Sequence, residues 1–286
     1  MEYKNFILKR LFRIYPAYII CLLIYYIYTY ANLSLTDFVI NTLHNKYNFI
    51  QELVLIRENH NLYLPGWSLG IEAALSAFLP FLVLLFKYDK KLFAAFTVAA
   101  VLLNKHYISI FTLHFCLGIA IAFYYDKIVN FNFKESGWYK YRFLLYSSIF
   151  ILYGFRHLLS LMENTDVYDE LSKLFFLDEF MFTGIGAAGI LVFVIQNKYV
   201  QAFLSARPLL FIGKISYSIY LTHWFFITVL LDNWNFFYPV FKNEFQLMLF
   251  YTISTLFATL LVSTIVYYAV EKPMILFAKN RFKAIN

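Results

Sequence analysis

Lys9-Arg10-Leu11-Phe12-Arg13-Ile14-Tyr15-Pro16-Ala17-Tyr18 runs without a break into Ile19-Ile20-Cys21-Leu22-Leu23-Ile24-Tyr25-Tyr26-Ile27-Tyr28-Thr29-Tyr30. Three cations come first, and residues 14–30 then carry no charge at all. At 1.5 Å per residue such a run approaches the ~30 Å hydrocarbon thickness of a bilayer. A helix is the form expected, because an open strand in lipid leaves its backbone polar groups unpaired.

The same pattern recurs from end to end. The chain of 286 residues is 62% hydrophobic and 14% charged, with a mean hydropathy of +0.63. A soluble protein has about half its residues apolar and about a quarter charged. The spacing predicts an all-α, polytopic transmembrane helix bundle of about eight spans, near 14–30, 66–86, 91–104, 107–125, 141–155, 178–195, 211–231 and 245–270. No linker or low-complexity tract divides the chain, so residues 1–286 read as one membrane domain. Aromatic residues make up 22%, and many Tyr and Trp sit at run ends, where amphipathic rings favour the membrane interface.

The net charge of +7 fits the basic cytoplasmic loops of a membrane protein, and no nucleic-acid partner is expected. Cys21 and Cys116 lie inside apolar runs and imply no disulfide. The first apolar run lacks a cleavage site of small residues and continues as Tyr-rich helix, so it does not read as a signal peptide.

Orientation follows from Lys and Arg. With the N-terminus in the cytoplasm, 18 of the 24 basic residues fall inside, and only Lys46, Arg57, Lys105, Arg156, Lys173 and Lys242 fall outside. That is a strong positive-inside asymmetry, and it places both termini in the cytoplasm. The third span is the weakest. If it failed to cross, the asymmetry would vanish, so it is kept.

Ionisable residues inside spans are costly and therefore candidates for function. Ser68, Glu72 and Ser76 recur at i, i+4, i+8, a polar stripe expected to face the bundle interior or a water-filled cavity. A carboxylate there can act as a general base or hold a sugar hydroxyl. A structural ion pair is the plainer alternative. Ser216, Tyr220 and His223 fall at i, i+4, i+7 of another span. A neutral imidazole can take a proton near neutral pH, and an inter-helix hydrogen bond is its plainer role. Arg10 and Arg13, at i, i+3, suit phosphate groups or serve as a simple cytoplasmic anchor. His114 reads as packing. His44, His60, His106 and His157 have no paired ligand spacing, so no metal is expected. Gly184-Ile185-Gly186-Ala187-Ala188-Gly189 spells a dinucleotide-binding pattern, but it lies inside an apolar span, where small residues allow helices to approach.

Four blocks, in order along the whole chain, resemble the acyltransferase-3 family of membrane O-acyltransferases, which O-acetylate bacterial surface carbohydrates. They are Arg-x-x-Arg-Ile-Tyr-Pro at 10–16; Trp67-Ser68-Leu69-x-x-Glu72 with Pro80 beyond; Ser216-Tyr217-Ser218-Ile219-Tyr220-Leu221-x-His223; and Tyr267-Tyr268-x-x-Glu271-Lys272-Pro273. The resemblance implies transfer of an acyl group, acetyl by family default, from acetyl-CoA to a hydroxyl of an extracytoplasmic carbohydrate or lipid-linked sugar. It implies a multi-pass protein of the bacterial cytoplasmic membrane. Arg10 and Arg13 match family arginines that engage the CoA side. Glu72 and His223 match buried polar positions and are the expected catalytic residues. Trp67, Ser68 and Tyr220 are the expected substrate-binding residues.

The family usually has ten spans. Two precede the landmark at 10–18, and the first carries the histidine usually assigned as catalytic. Neither precedes it here, so the chain is expected to be an N-terminally shortened member in which Glu72 or His223 activates the hydroxyl. Ala73 and Ser76 also stand where the family often has a second acidic residue and a Tyr. The alternatives are an inactive fragment of such an enzyme, or a carrier that moves a sugar or lipid.

Overall fold

The computed structural model describes residues 3–30, 46–55, 63–102, 107–161, 179–241 and 243–282. Every regular element among them is helical. In chain order these are α1 (Tyr3–Tyr30), α2 (Lys46–Val54), α3 (Gly66–Tyr88), α4 (Lys90–Leu102), α5 (Tyr107–Phe123), α6 (Tyr125–Asn130), α7 (Arg142–Tyr153), α8 (Phe155–Ser160), α9 (Glu179–Gln196), α10 (Lys198–Leu204), α11 (Arg207–Asp232), α12 (Trp234–Phe237), α13 (Glu244–Val266) and α14 (Lys272–Arg281). Short 3-10 turns cover Phe133–Glu135, Gly137–Tyr141 and Tyr238–Val240. A π turn, Tyr267–Glu271, joins α13 to α14.

Helices occupy all eight expected places, but fewer have the length and apolarity of a span. Three do among the described residues: Tyr3–Tyr30, Gly66–Tyr88 and the continuous Glu244–Arg281. A fourth is counted if Met181–Gln196 and Lys198–Leu204, bent by 96°, form one span. At 13 and 12 residues, α4 and α7 are too short to qualify alone. α11 is long enough, but the Ser, Tyr, Thr and His of its middle lower its hydropathy.

Caps explain where several helices begin. Asp89 is the one residue between α3 and α4, and its Oδ1 accepts from the backbone N–H of Lys91 (2.7 Å) and Leu92 (3.3 Å). Asn197 does the same at the α9–α10 bend, accepting from Tyr199 (3.0 Å) and Val200 (3.2 Å). The π turn comes just before a proline. Proline has no N–H, and its ring collides with the carbonyl four residues back. Pro16 and Pro80 sit inside ordinary helices all the same, but ahead of Pro273 the N–H of Lys272 reaches back five residues to the carbonyl of Tyr267.

The described chain divides into two compact units. The first combines residues 1–70 and 207–286. In it α11 packs on α13, and α1 packs on α14, the π turn and α11. Tyr18, Leu22, Tyr63, Leu69 and Leu221 fill its core. Leu55 joins them from a left-handed backbone position (φ 56°) that ends α2. Such a conformation costs a non-glycine residue ~1–2 kcal/mol, offset here by burial of the leucine side chain.

The second unit holds residues 71–206. α9 is its hub, packed on α5, α7 and α8, while α4 packs on α5. The glycines of α9 make this possible. A Cβ on Gly186 would run into the backbone of Tyr153 and Leu152, and one on Gly184 would lie 2.8 Å from the His114 ring. His114 thus sits in a helix–helix contact. Leu82, Phe86, Phe93, Cys116 and Ile119 form a separate core.

Candidate functional site

Three of the expected residues meet in the first unit. The side chains of Ser68 and Tyr220 are hydrogen-bonded, Oγ to OH, at 2.6 Å. The Tyr220 hydroxyl also donates to the Pro65 carbonyl at 3.2 Å. One turn along α11, the His223 ring lies 5.7 Å from that of Tyr220. Nδ1 of His223 is 2.7 Å from the Tyr220 carbonyl oxygen. A carbonyl has no proton to give, so Nδ1 is the donor. A neutral His223 then carries its lone pair on Nε2, the form a general base needs. Ser68, Tyr220 and His223 are all half-buried, neither sealed in the core nor fully open.

Ser216 does not join them. It is exposed and donates to the Gly213 carbonyl of its own helix at 3.0 Å. The buried face of α11 runs through Ile215, Ser218, Leu221 and Thr222 instead. Ser218 Oγ donates to the Glu271 carboxylate at 2.7 Å, with both residues buried. Thr222 hydrogen-bonds to Ser263 at 2.7 Å. Arg13 lies close enough for its charge to act on Glu271. The π turn positions that carboxylate, because Glu271 is its last residue.

Tyrosine hydroxyls tie the rest of the unit together. Tyr217 donates to the Ile14 carbonyl at 2.7 Å, and Tyr18 donates to the Glu52 carbonyl at 2.8 Å. Tyr63 donates to the Leu221 carbonyl. Burial holds the Tyr63 phenol well above its ordinary pKa, so it stays a donor. Arg10 and Arg13 sit one turn apart on α1. Arg13 is exposed, and the Arg10 guanidinium lies 5.5 Å over the Phe6 ring. Trp67 is half-buried at the start of α3.

The polar stripe of α3 is unevenly exposed. Of the stripe on α3, Ser76 is buried, Ser68 half-buried and Glu72 exposed. Glu72 also belongs to the second unit, whereas every other expected site residue belongs to the first. Helical spacing says which residues share a face, but not what packs against it. Among the described residues the buried carboxylates are Glu52 and Glu271. Glu271 could have been suspected from its place beside Pro273 at the end of an apolar run, although its neighbour Lys272 makes it read as an interface charge. Glu52 lies in a stretch that reads as an outer loop and gave no signal. His44, His60 and His106 lie outside the described residues.

Helices long and apolar enough to cross a membrane define a class of membrane-embedded proteins. The chain belongs to the acyltransferase-3 family, whose acyltransferase domain matches residues 1–268, and is thus a membrane acyltransferase of that family. No curated protein matches. No solved structure matches either.

Proposed function

We propose that this protein transfers an acetyl group from acetyl-CoA to a hydroxyl of an extracytoplasmic carbohydrate. Family membership supports acyl transfer, and the Ser68–Tyr220–His223 cluster supports where it occurs. In this reading Nε2 of His223 takes the proton of the attacking sugar hydroxyl. The hydroxyl oxygen bonds to the thioester carbonyl carbon, the carbon–sulfur bond breaks, and the thiol leaves with a proton. Ser68 and Tyr220 orient the acceptor, and Trp67 offers a flat ring for a sugar face. Arg10 and Arg13 hold the phosphates of the donor. Glu72 is the second candidate for the base.

Residues 1–286 act as one domain in this reading, since the family match spans both units. The chain crosses the bacterial cytoplasmic membrane eight times with both termini inside. The charge asymmetry of the sequence supports that orientation.

The test is acetylated carbohydrate per cell, normalised to the amount of the protein in membrane fractions. His223→Gln is expected to lower acetylation by at least ~10²-fold, the low end of general-base effects. Glu72→Gln measured beside it assigns the base. Full activity in both variants, with protein present, would remove both residues from the chemistry.

A further inference from the structure

The second unit forms an open-mouthed pocket of about 830 Å³ between the turns at 131–142 and the α9–α10 bend. That volume falls within the ~300–1,000 Å³ usual for small-molecule sites. Its walls bring together Lys134, Arg142 and Lys198 with no Asp or Glu, beside the rings of Phe133, Tyr146 and Phe193. Three like charges around one space repel each other, and an anion among them relieves that repulsion.

The walls are built rather than loose. Arg142 donates through Nη1 to the Tyr139 carbonyl at 3.3 Å, and its guanidinium lies 4.6 Å over the Tyr139 ring. An arginine fixed in this way spends little entropy on engaging a ligand. Tyr146 meets Phe193 edge-on at 4.8 Å. Gln196 donates to the Ile128 carbonyl at 3.2 Å, and Gln201 donates to those of Val194 (3.0 Å) and Ile195 (2.6 Å), so both sides of the bend are pinned. Beyond it α10 leaves Tyr199 and Phe203 exposed next to Lys198. Aromatic residues beside a cation suit the membrane interface.

We propose that this cavity binds a phosphate-bearing headgroup, the three cations taking the phosphate and the rings taking the adjoining apolar part. Two sources share that chemistry, an anionic phospholipid and a free nucleotide. The interfacial character of α10 favours the lipid. The site shares no residue with the Ser68–Tyr220–His223 cluster and does not depend on the acyl-transfer reading.

The experiment is native mass spectrometry of the full chain in detergent, titrated separately with phosphatidylglycerol, uncharged diacylglycerol and ADP. Phosphatidylglycerol is expected to bind and diacylglycerol not. The double variant K134Q/K198Q should bind the lipid at least ~10-fold more weakly. Lys140→Gln, which removes a charge from the same loop but outside the cavity, should bind as the parent does. Binding of ADP alone, lost in the double variant, supports the phosphate site and assigns it to a nucleotide. Binding of neither phosphate ligand overturns the proposal. So does equal loss in Lys140→Gln, which would make the effect one of bulk charge, or unchanged binding in K134Q/K198Q.

Discussion

Ser218 donates to Glu271 in a core where both residues are buried. A hydrogen bond to a charged group is worth ~1.5–3 kcal/mol, and deleting the donor leaves the carboxylate short of a partner. Ser218→Ala is therefore expected to lower the Tm of the purified protein in detergent by several degrees. Ser216→Ala, two residues away, removes only an exposed bond within its own helix and should leave Tm unchanged within error. Equal Tm values for the two variants would show that the Ser218–Glu271 bond adds nothing. The contrast marks what sequence could reveal at this scale. Tyr220 and His223 were readable as one-turn neighbours. That Ser218 and not Ser216 faces inward depended on α13 and the π turn, whose place against α11 no local spacing encodes.

Among the elements, α9 carries the sharpest requirement. Ala at Gly186 would put a methyl group into the backbone of Tyr153 and Leu152, which cannot move aside as a side chain end can. Overpacking of this kind costs ~1–3 kcal/mol or more. Gly118 of α5 has open space around its Cβ position, and Ala there should gain up to ~1 kcal/mol of helix propensity. Thermal unfolding in detergent should move down for Gly186→Ala and stay level or rise for Gly118→Ala. The opposite order would refute the close approach of α9 to α7. The packing role of these glycines was legible because a phosphate-binding turn needs a strand before it, and an apolar helix offers none. The helix starts were less legible. α1 begins at Tyr3 rather than near residue 14, since a helix propagates through Lys4, Lys9 and Arg10 at little cost before it meets the apolar run. α2 lies in a stretch too polar to signal a span and too short to signal a helix.

For the whole molecule the decisive property is its direction across the membrane. In the proposed topology of eight crossings with the N-terminus inside, residue 46 would lie outside and residue 279 inside. Lys46→Cys should react with a membrane-impermeant maleimide on intact cells, and Lys279→Cys only after permeabilisation. The native Cys21 and Cys116 are buried and should contribute little background. The reverse pattern would invert the donor and acceptor sides. Hydropathy located the helices well, yet among the described residues composition and length qualify only three or four as spans. The remainder are short or polar. Such helices cross a membrane only when neighbours cover them, and a linear hydropathy count cannot register that shielding.

The π turn at Tyr267–Glu271 also has a meaning in terms of insertion and deletion. It holds one residue more than a straight helix needs, and one residue amounts to about 100° of rotation. Removing Ala269 should straighten the segment and leave α14 facing as it does now, most readily when Pro273→Ala also removes the ring that disfavours the straight form. Removing Ile253 from the middle of α13 has no such slack to absorb it, and every later side chain would turn to a new face. The first shortened chain should accumulate in membranes near the parental amount and the second should not, as a western blot of membrane fractions would show. A segment that can lose a residue without losing its register is where length variation can enter this helix during its history.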